Sequence, residues 1–149
     1  MKPLLFLFGF ALISVSVSAQ FVETNWTVVE VKGETWYADS SKILGQVQSF
    51  EKGWAQGPFF NCDFDGLSMT YTSYKKPKHL LKNPEFRVLK ELDLEFNDGR
   101  IYVHRISCEG YGDAKKRMVL YPFITQEGSN KAYYIFEGAV YALETEKVP

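Results

Sequence analysis

The sequence predicts a mostly β domain, a single antiparallel meander barrel or sandwich with one short helix. Short β-branched and aromatic runs recur between turn signals at intervals of about 8 to 12 residues, as in small sandwiches and barrels. The best-defined runs alternate apolar and polar residues, as half-buried strands must. The chain of 149 residues is 46% hydrophobic and 16% aromatic, enough apolar surface to offset the entropy of ordering the backbone. One domain is expected at this length.

The chain opens on Met1-Lys2-Pro3, then an apolar run from Leu4 to Ile13 and small residues from Ser14 to Ala19. This reads as a cleavable signal peptide, residues 1–19, with Val17 and Ala19 at the small-residue cleavage positions. A membrane anchor is the alternative, but the run falls short of the roughly 20 apolar residues that span a bilayer. The domain then covers residues 20–143, with 144–149 as a flexible tail. The expected location is the periplasm or the secreted medium, with no stable membrane span after cleavage.

Trp26 to Ala38 reads as a first hairpin broken at Lys32-Gly33-Glu34. A strand is expected near Gln46 to Phe50. Phe59 to Phe64, the turn Asp65-Gly66, and Leu67 to Tyr74 form the strongest hairpin signal, because Asp-Gly suits a two-residue turn that needs positive φ. A basic connection follows, Lys75, Lys76, Lys78 and His79. Asn83 before Pro84 resembles an N-cap with proline at the first helical position, so a short helix is expected near residues 84–91, with a further strand as the competing reading. Phe86, Leu89 and Leu92 share its apolar face. Asp93 to Phe96, the turn Asn97-Asp98-Gly99 and Arg100 to Cys108 read as another hairpin. In its second arm Ile101 and Val103 oppose Tyr102, His104 and Ile106. Further strands are expected at Met118–Thr125, Ala132–Phe136 and Val140–Leu143.

Several function classes are excluded or weakened at this level. With 17 Lys+Arg against 18 Asp+Glu the chain has no global field to attract nucleic acid. No Gly-x-Ser-x-Gly occurs, so the serine-triad pattern fails. Asp63 and Asp65 flank a tight turn, which explains them without an acid–base pair. The Asp63-Phe64-Asp65-Gly66 run lacks the downstream ligands of a calcium loop. His79 and His104 with two cysteines show no zinc-site spacing. No cofactor and no catalytic residue is expected.

Cys62 and Cys108 are the two cysteines. In an oxidising compartment a single structural disulfide is the leading reading, closing a loop of about 45 residues; two buried thiols are the alternative. Asn25-Trp26-Thr27 is a formal glycosylation sequon. Lys75, Lys76, Lys78, His79 and Lys82, with Lys115-Lys116-Arg117, offer small basic clusters that usually stay solvated. Trp26, Trp36, Trp54, Tyr71, Tyr74, Tyr102, Tyr121, Tyr133, Tyr134 and Tyr141 exceed what a small barrel interior holds. Some of them therefore face solvent, where such rings anchor partners or stack on sugars.

Trp26, the Cys62-Asp63-Phe64-Asp65-Gly66 turn followed by Tyr71, and Arg105-Ile106-Ser107-Cys108, taken in order, resemble the META/HslJ-type domains of bacterial envelopes. In that family a Gly-Cys-Asn segment precedes a Gly-x-Tyr strand and a second cysteine follows. Here Asn61 stands where the family has glycine, Asp63 replaces the asparagine, and the insert from Lys75 to Leu92 widens the cysteine spacing. The resemblance covers about a third of the chain and implies a small β-rich envelope domain with no catalytic residues.

The functional expectation is a non-enzymatic exported domain that binds another macromolecule, a protein or a cell-envelope polymer, as an inhibitor, immunity or envelope-accessory protein does. The turn around Ser129 and Asn130, running to Tyr133, is the candidate binding loop. A calycin-like carrier of a small apolar ligand is the alternative, its cavity lined by residues such as Met69, Tyr71, Val103 and Phe136. A hydrolase with converging acids or His104 comes third.

Overall fold

The computed structural model describes residues 24–33, 40–62, 67–108, 118–119, 122–146 and 148. Nine strands form one antiparallel sheet: β1 (Thr24–Lys32), β2 (Val47–Glu51), β3 (Trp54–Gln56), β4 (Leu67–Tyr74), β5 (Ile101–Cys108), β6 (Met118–Val119), β7 (Phe123–Gln126), β8 (Lys131–Phe136) and β9 (Ala139–Glu144). Their spatial order is β3-β2-β1-β9-β8-β7-β5-β4, with β6 beside β5. The helices are short: α1 (Ser40–Ile43), α2 (Pro77–Leu80) and α3 (Arg87–Glu91), the last continuing a 3-10 turn at Pro84–Phe86. The mostly β class expected from the alternating pattern is what the chain adopts.

The sheet curls strongly. Phe50 on β2 and Phe123 on β7 are four strand steps apart, roughly 19 Å across a flat sheet, yet their ring centroids lie 5.5 Å apart, edge to face. Trp26 meets Phe123 at 5.8 Å and Phe60 meets Tyr134 at 5.0 Å. These rings, with Val28, Tyr141, Leu143 and Ile106, fill the concave face. Those on strands come from alternate positions: Trp26 and Val28 point inward while Asn25 and Val29 point out.

The convex face has its own core. Ile101, Val103, Ile124, Tyr133 and Val140 are covered by Leu80, Phe86 and Leu89. Asn83 caps the 3-10 turn as its position before Pro84 predicts, its Oδ1 accepting the Glu85 N–H at 3.1 Å. Phe86 and Leu89 are fully buried, and burial of each such side chain contributes about 1.5 to 3 kcal/mol. Arg105 of β5 ties this cover to the sheet through Glu85, Nη2 to Oε2 at 2.7 Å, and its guanidinium lies over the Phe86 ring. The hydrogen bond to Glu85 raises the Arg105 pKa further.

Several pairings differ from the local ones expected. Leu67–Tyr74 does not close a hairpin with the residues before Asp65-Gly66; it pairs along its whole length with β5, Leu67 to Cys108 and Tyr74 to Ile101. Cys62 instead bridges Ala55 of β3, with Ala55 N–H to Cys62 O at 3.1 Å and the return bond at 2.8 Å. The Asp65-Gly66 turn lies outside the described residues. Residues 94–97 are not a strand, because β5 is already flanked by β4 and β7. Strand β1 pairs with β2 and β9, and residues 34–38, the second arm of the expected first hairpin, lie outside the described residues. Strand β9 ends at Glu144, and Thr145 is buried with its N–H donating to the Asn130 carbonyl at 2.9 Å. The ordered chain thus enters the segment 144–149 assigned to a tail.

Two buried glutamines each hold a short segment that makes no ladder. Gln48 of β2 accepts the N–H groups of Phe59 and Phe60 at its Oε1, each at 3.0 Å, and its Nε2 donates to the Phe60 carbonyl at 3.1 Å. Gln126 of β7 accepts the Asn97 N–H at 2.9 Å and donates to the carbonyls of Asn97 at 2.8 Å and Gly99 at 3.1 Å. Each primary amide supplies the donor and acceptor a neighbouring strand would have supplied.

Candidate functional site

Among the described residues, α2 and α3 pack over β5, β7, β8 and β9 rather than over the outward faces of β1 and β2. On their outward faces Asn25, Thr27 and Val29 of β1 run beside Val47 and Glu51 of β2, with Thr27 opposite Val47. Val29 and Val47 remain 46% and 43% exposed. Lys52 closes one side of this surface, and Asn130, Thr145 and Glu146 rise on the other, enclosing an open cleft of about 1000 Å³. That is the upper end of the size of small-molecule pockets, but its walls are mixed: two amides and three hydroxyls, three carboxylates against one ammonium, and three apolar side chains. The bond from Thr145 N–H to the Asn130 carbonyl fixes the wall that the β7–β8 turn provides.

A smaller hollow of about 290 Å³ lies next to it, sharing Val29 and Glu144 and bounded by Glu30, Lys32, Glu95, Lys131 and Tyr133. Among the described residues no three His, Cys, Asp or Glu side chains converge as metal ligands.

Of the expected binding residues, Asn130 is exposed on the cleft wall and Ser129 sits beside it, its Oγ accepting the Lys131 N–H at 3.1 Å. Tyr133 is not on the loop. Strand β8 begins at Lys131, so the third residue of the strand turns into the convex core. It is 6% exposed, and its hydroxyl donates to the Glu95 carbonyl at 2.9 Å. Burial, then the neighbouring carboxylates of Glu95, Glu30 and Glu144, raises its pKa. Cys62 is buried, and no free cysteine occurs among the described residues.

The carrier's expected lining is divided between two faces. Val103 packs under the helical cover while Met69 and Phe136 pack on the concave side, because residue 103 has the opposite parity on β5 from the inward positions. Tyr71 lies at the open end of the concave face, 52% exposed, with its ring 5.7 Å from Tyr102 and 6.2 Å from His104. His104 is 1% exposed, and its Nε2 shares a hydrogen bond with Thr125 Oγ1 at 2.9 Å. Burial pushes the imidazole down to about 4, which keeps it neutral at physiological pH.

Val29 and Val47 did not stand out in the sequence as surface residues. The signal was the adjacent pair Val28-Val29: neighbours on one strand face opposite ways, so with Trp26 fixed inward Val29 had to face out. No protein-family model, curated protein or solved structure matches the chain. Among the described residues no helix is long and apolar enough to cross a membrane.

Proposed function

We propose that this chain is an exported, non-enzymatic β-domain that binds another macromolecule, a protein or a cell-envelope polymer, through the cleft over β1 and β2. It acts in the periplasm or after secretion, once residues 1–19 are removed, and a Cys62–Cys108 disulfide braces it. The burial of Cys62 and the lack of a free cysteine among the described residues support that last point.

The observation that carries the reading is the contrast between the faces of the sheet. The concave face is packed with rings, where a carrier would keep space for its ligand. Among the described residues no helix covers the outward face of β1 and β2, where two exposed valines stand among amides, hydroxyls, three carboxylates and one ammonium. Such a mixture of apolar contact and hydrogen-bonding groups suits a macromolecular partner.

The test immobilises the mature protein, exposes it to the envelope and secreted fractions of its own source, and repeats this with the double variant Val47→Glu, Asn130→Arg. A partner retained by the wild type and lost by the variant is expected. Equal retention by both, or a small molecule travelling with the folded chain in its native mass spectrum, overturns the reading.

A further inference from the structure

The two edges of the sheet are unlike. At β3 the outer side of Ala55 is taken by Cys62. At β4 the inner side is paired with β5 through eight consecutive positions, and no described residue bonds to the backbone of its outer side. Thr70, Thr72 and Ser73 are exposed there, and Tyr71 is 52% exposed.

Proteins protect a long free edge with charges, proline, a bulge or a cover, because unpaired N–H and C=O groups recruit another strand. Strand β4, Leu-Ser-Met-Thr-Tyr-Thr-Ser-Tyr, has no charge and no proline, and its register with β5 runs without a bulge. An edge left in this state is suited to being covered by another strand.

We propose that the outer edge of β4 pairs antiparallel with β4 of a second copy of this chain, joining two sheets into one. The flanking charges select this occupant. The chain reaches β4 from Asp63 and Asp65 and leaves it into Lys75, Lys76 and Lys78. Antiparallel pairing sets the acidic entry of each copy against the basic exit of the other, whereas parallel pairing sets like against like. A two-fold axis perpendicular to the sheet keeps both concave faces on one side, so its centre falls on a residue. With that centre at Tyr71 the two tyrosine rings lie side by side, and Thr70 of each copy stands opposite Thr72 of the other.

Light scattering on the mature protein across the micromolar range is the test. A mass moving from one chain to two as concentration rises is expected. The double variant Thr70→Lys, Thr72→Lys places lysine opposite lysine twice and should weaken the dissociation constant by about tenfold or more. Thr70→Lys, Thr72→Glu places lysine opposite glutamate twice and should restore it. A single-chain mass throughout, a mass above two chains, an unweakened Lys/Lys variant, or a Lys/Glu variant as weak as Lys/Lys each overturns the proposal. Hydrogen exchange on the wild type needs no substitution: the β4 amides should gain protection with concentration while those of β2 do not, and equal behaviour of the two strands overturns it.

Discussion

Gln48 and Phe60, twelve residues apart, are joined by two opposed hydrogen bonds: the side-chain Oε1 accepts the Phe60 N–H at 3.0 Å and Nε2 donates to the Phe60 carbonyl at 3.1 Å. A side chain here stands in for a strand. It holds Phe60 where its ring packs on Phe50, 5.7 Å between centroids, and so fills the concave core.

Gln48→Leu keeps the bulk but strands the Phe59 and Phe60 N–H groups and the Phe60 carbonyl in the interior. Each unsatisfied group costs about 1 to 3 kcal/mol, so a loss of about 3 kcal/mol or more is expected in urea unfolding. Gly57→Ala attacks the same junction, since a Cβ there would lie 2.6 Å from Gln48 Cα. It should also destabilise, and an unchanged midpoint for either variant would contradict the clamp.

Acid should weaken the fold through His104. Its folded pKa is about 4 because of burial, while in the unfolded chain it returns to about 6.5. Between these values the unfolded state binds a proton the native state does not, so this contribution is complete above about pH 6.5 and falls away toward pH 4, by about 3 kcal/mol. Urea titrations across that window should show the loss, and His104→Gln should flatten it. Parallel pH profiles for wild type and variant would refute the assignment.

Removing the helical cover from inside should be costly. Phe86 and Leu89 are fully buried against Ile101 and Val103. Phe86→Ala is expected to cost about 3 to 5 kcal/mol and Leu89→Ala about 2 to 5, read as lowered denaturant midpoints. A Phe86→Ala loss below about 1 kcal/mol would mean the cover is dispensable.

A chain stopped after Leu143 loses the pairing of Glu144 with Thr27 and Lys131 and the bond from Thr145 to Asn130. A loss of about 1 to 2 kcal/mol is expected, visible as a lower melting temperature. A chain stopped after Glu146 should melt like the full one.

The proposed Cys62–Cys108 disulfide predicts that Cys62→Ser and Cys108→Ser lower stability equally, by roughly 3 to 4 kcal/mol, with the double variant no worse than either. Additive losses in denaturant titrations would exclude the pairing.

The sequence made strand content and side-chain parity legible, and local caps with them. Alternation in Ile101–Ile106 placed Ile101 and Val103 on one face and Ile106 on the other, as found, and Asn83-Pro84 announced its turn. Partner choice was not legible, because it is a long-range property: Leu67–Tyr74 sits after a strong turn signal yet pairs with residues 101–108. The glutamine clamps were hidden for a related reason. A lone glutamine in a strand reads as solvent-facing until the segment it grips is known. At the candidate site, loop composition pointed to Ser129 and Asn130, but Tyr133 followed the strand period into the core instead.

The bridge between Ala55 and Cys62 reaches beyond its own corner of the molecule. With β3 bridged there, β4 is the long unbridged edge among the described residues, and the proposed pairing gives each chain a valence of one. Fibrillar growth by edge pairing requires two such edges. Association of the proposed kind terminates itself, and freeing β3 from Cys62 is the change that would convert a closed pair into an open-ended polymer.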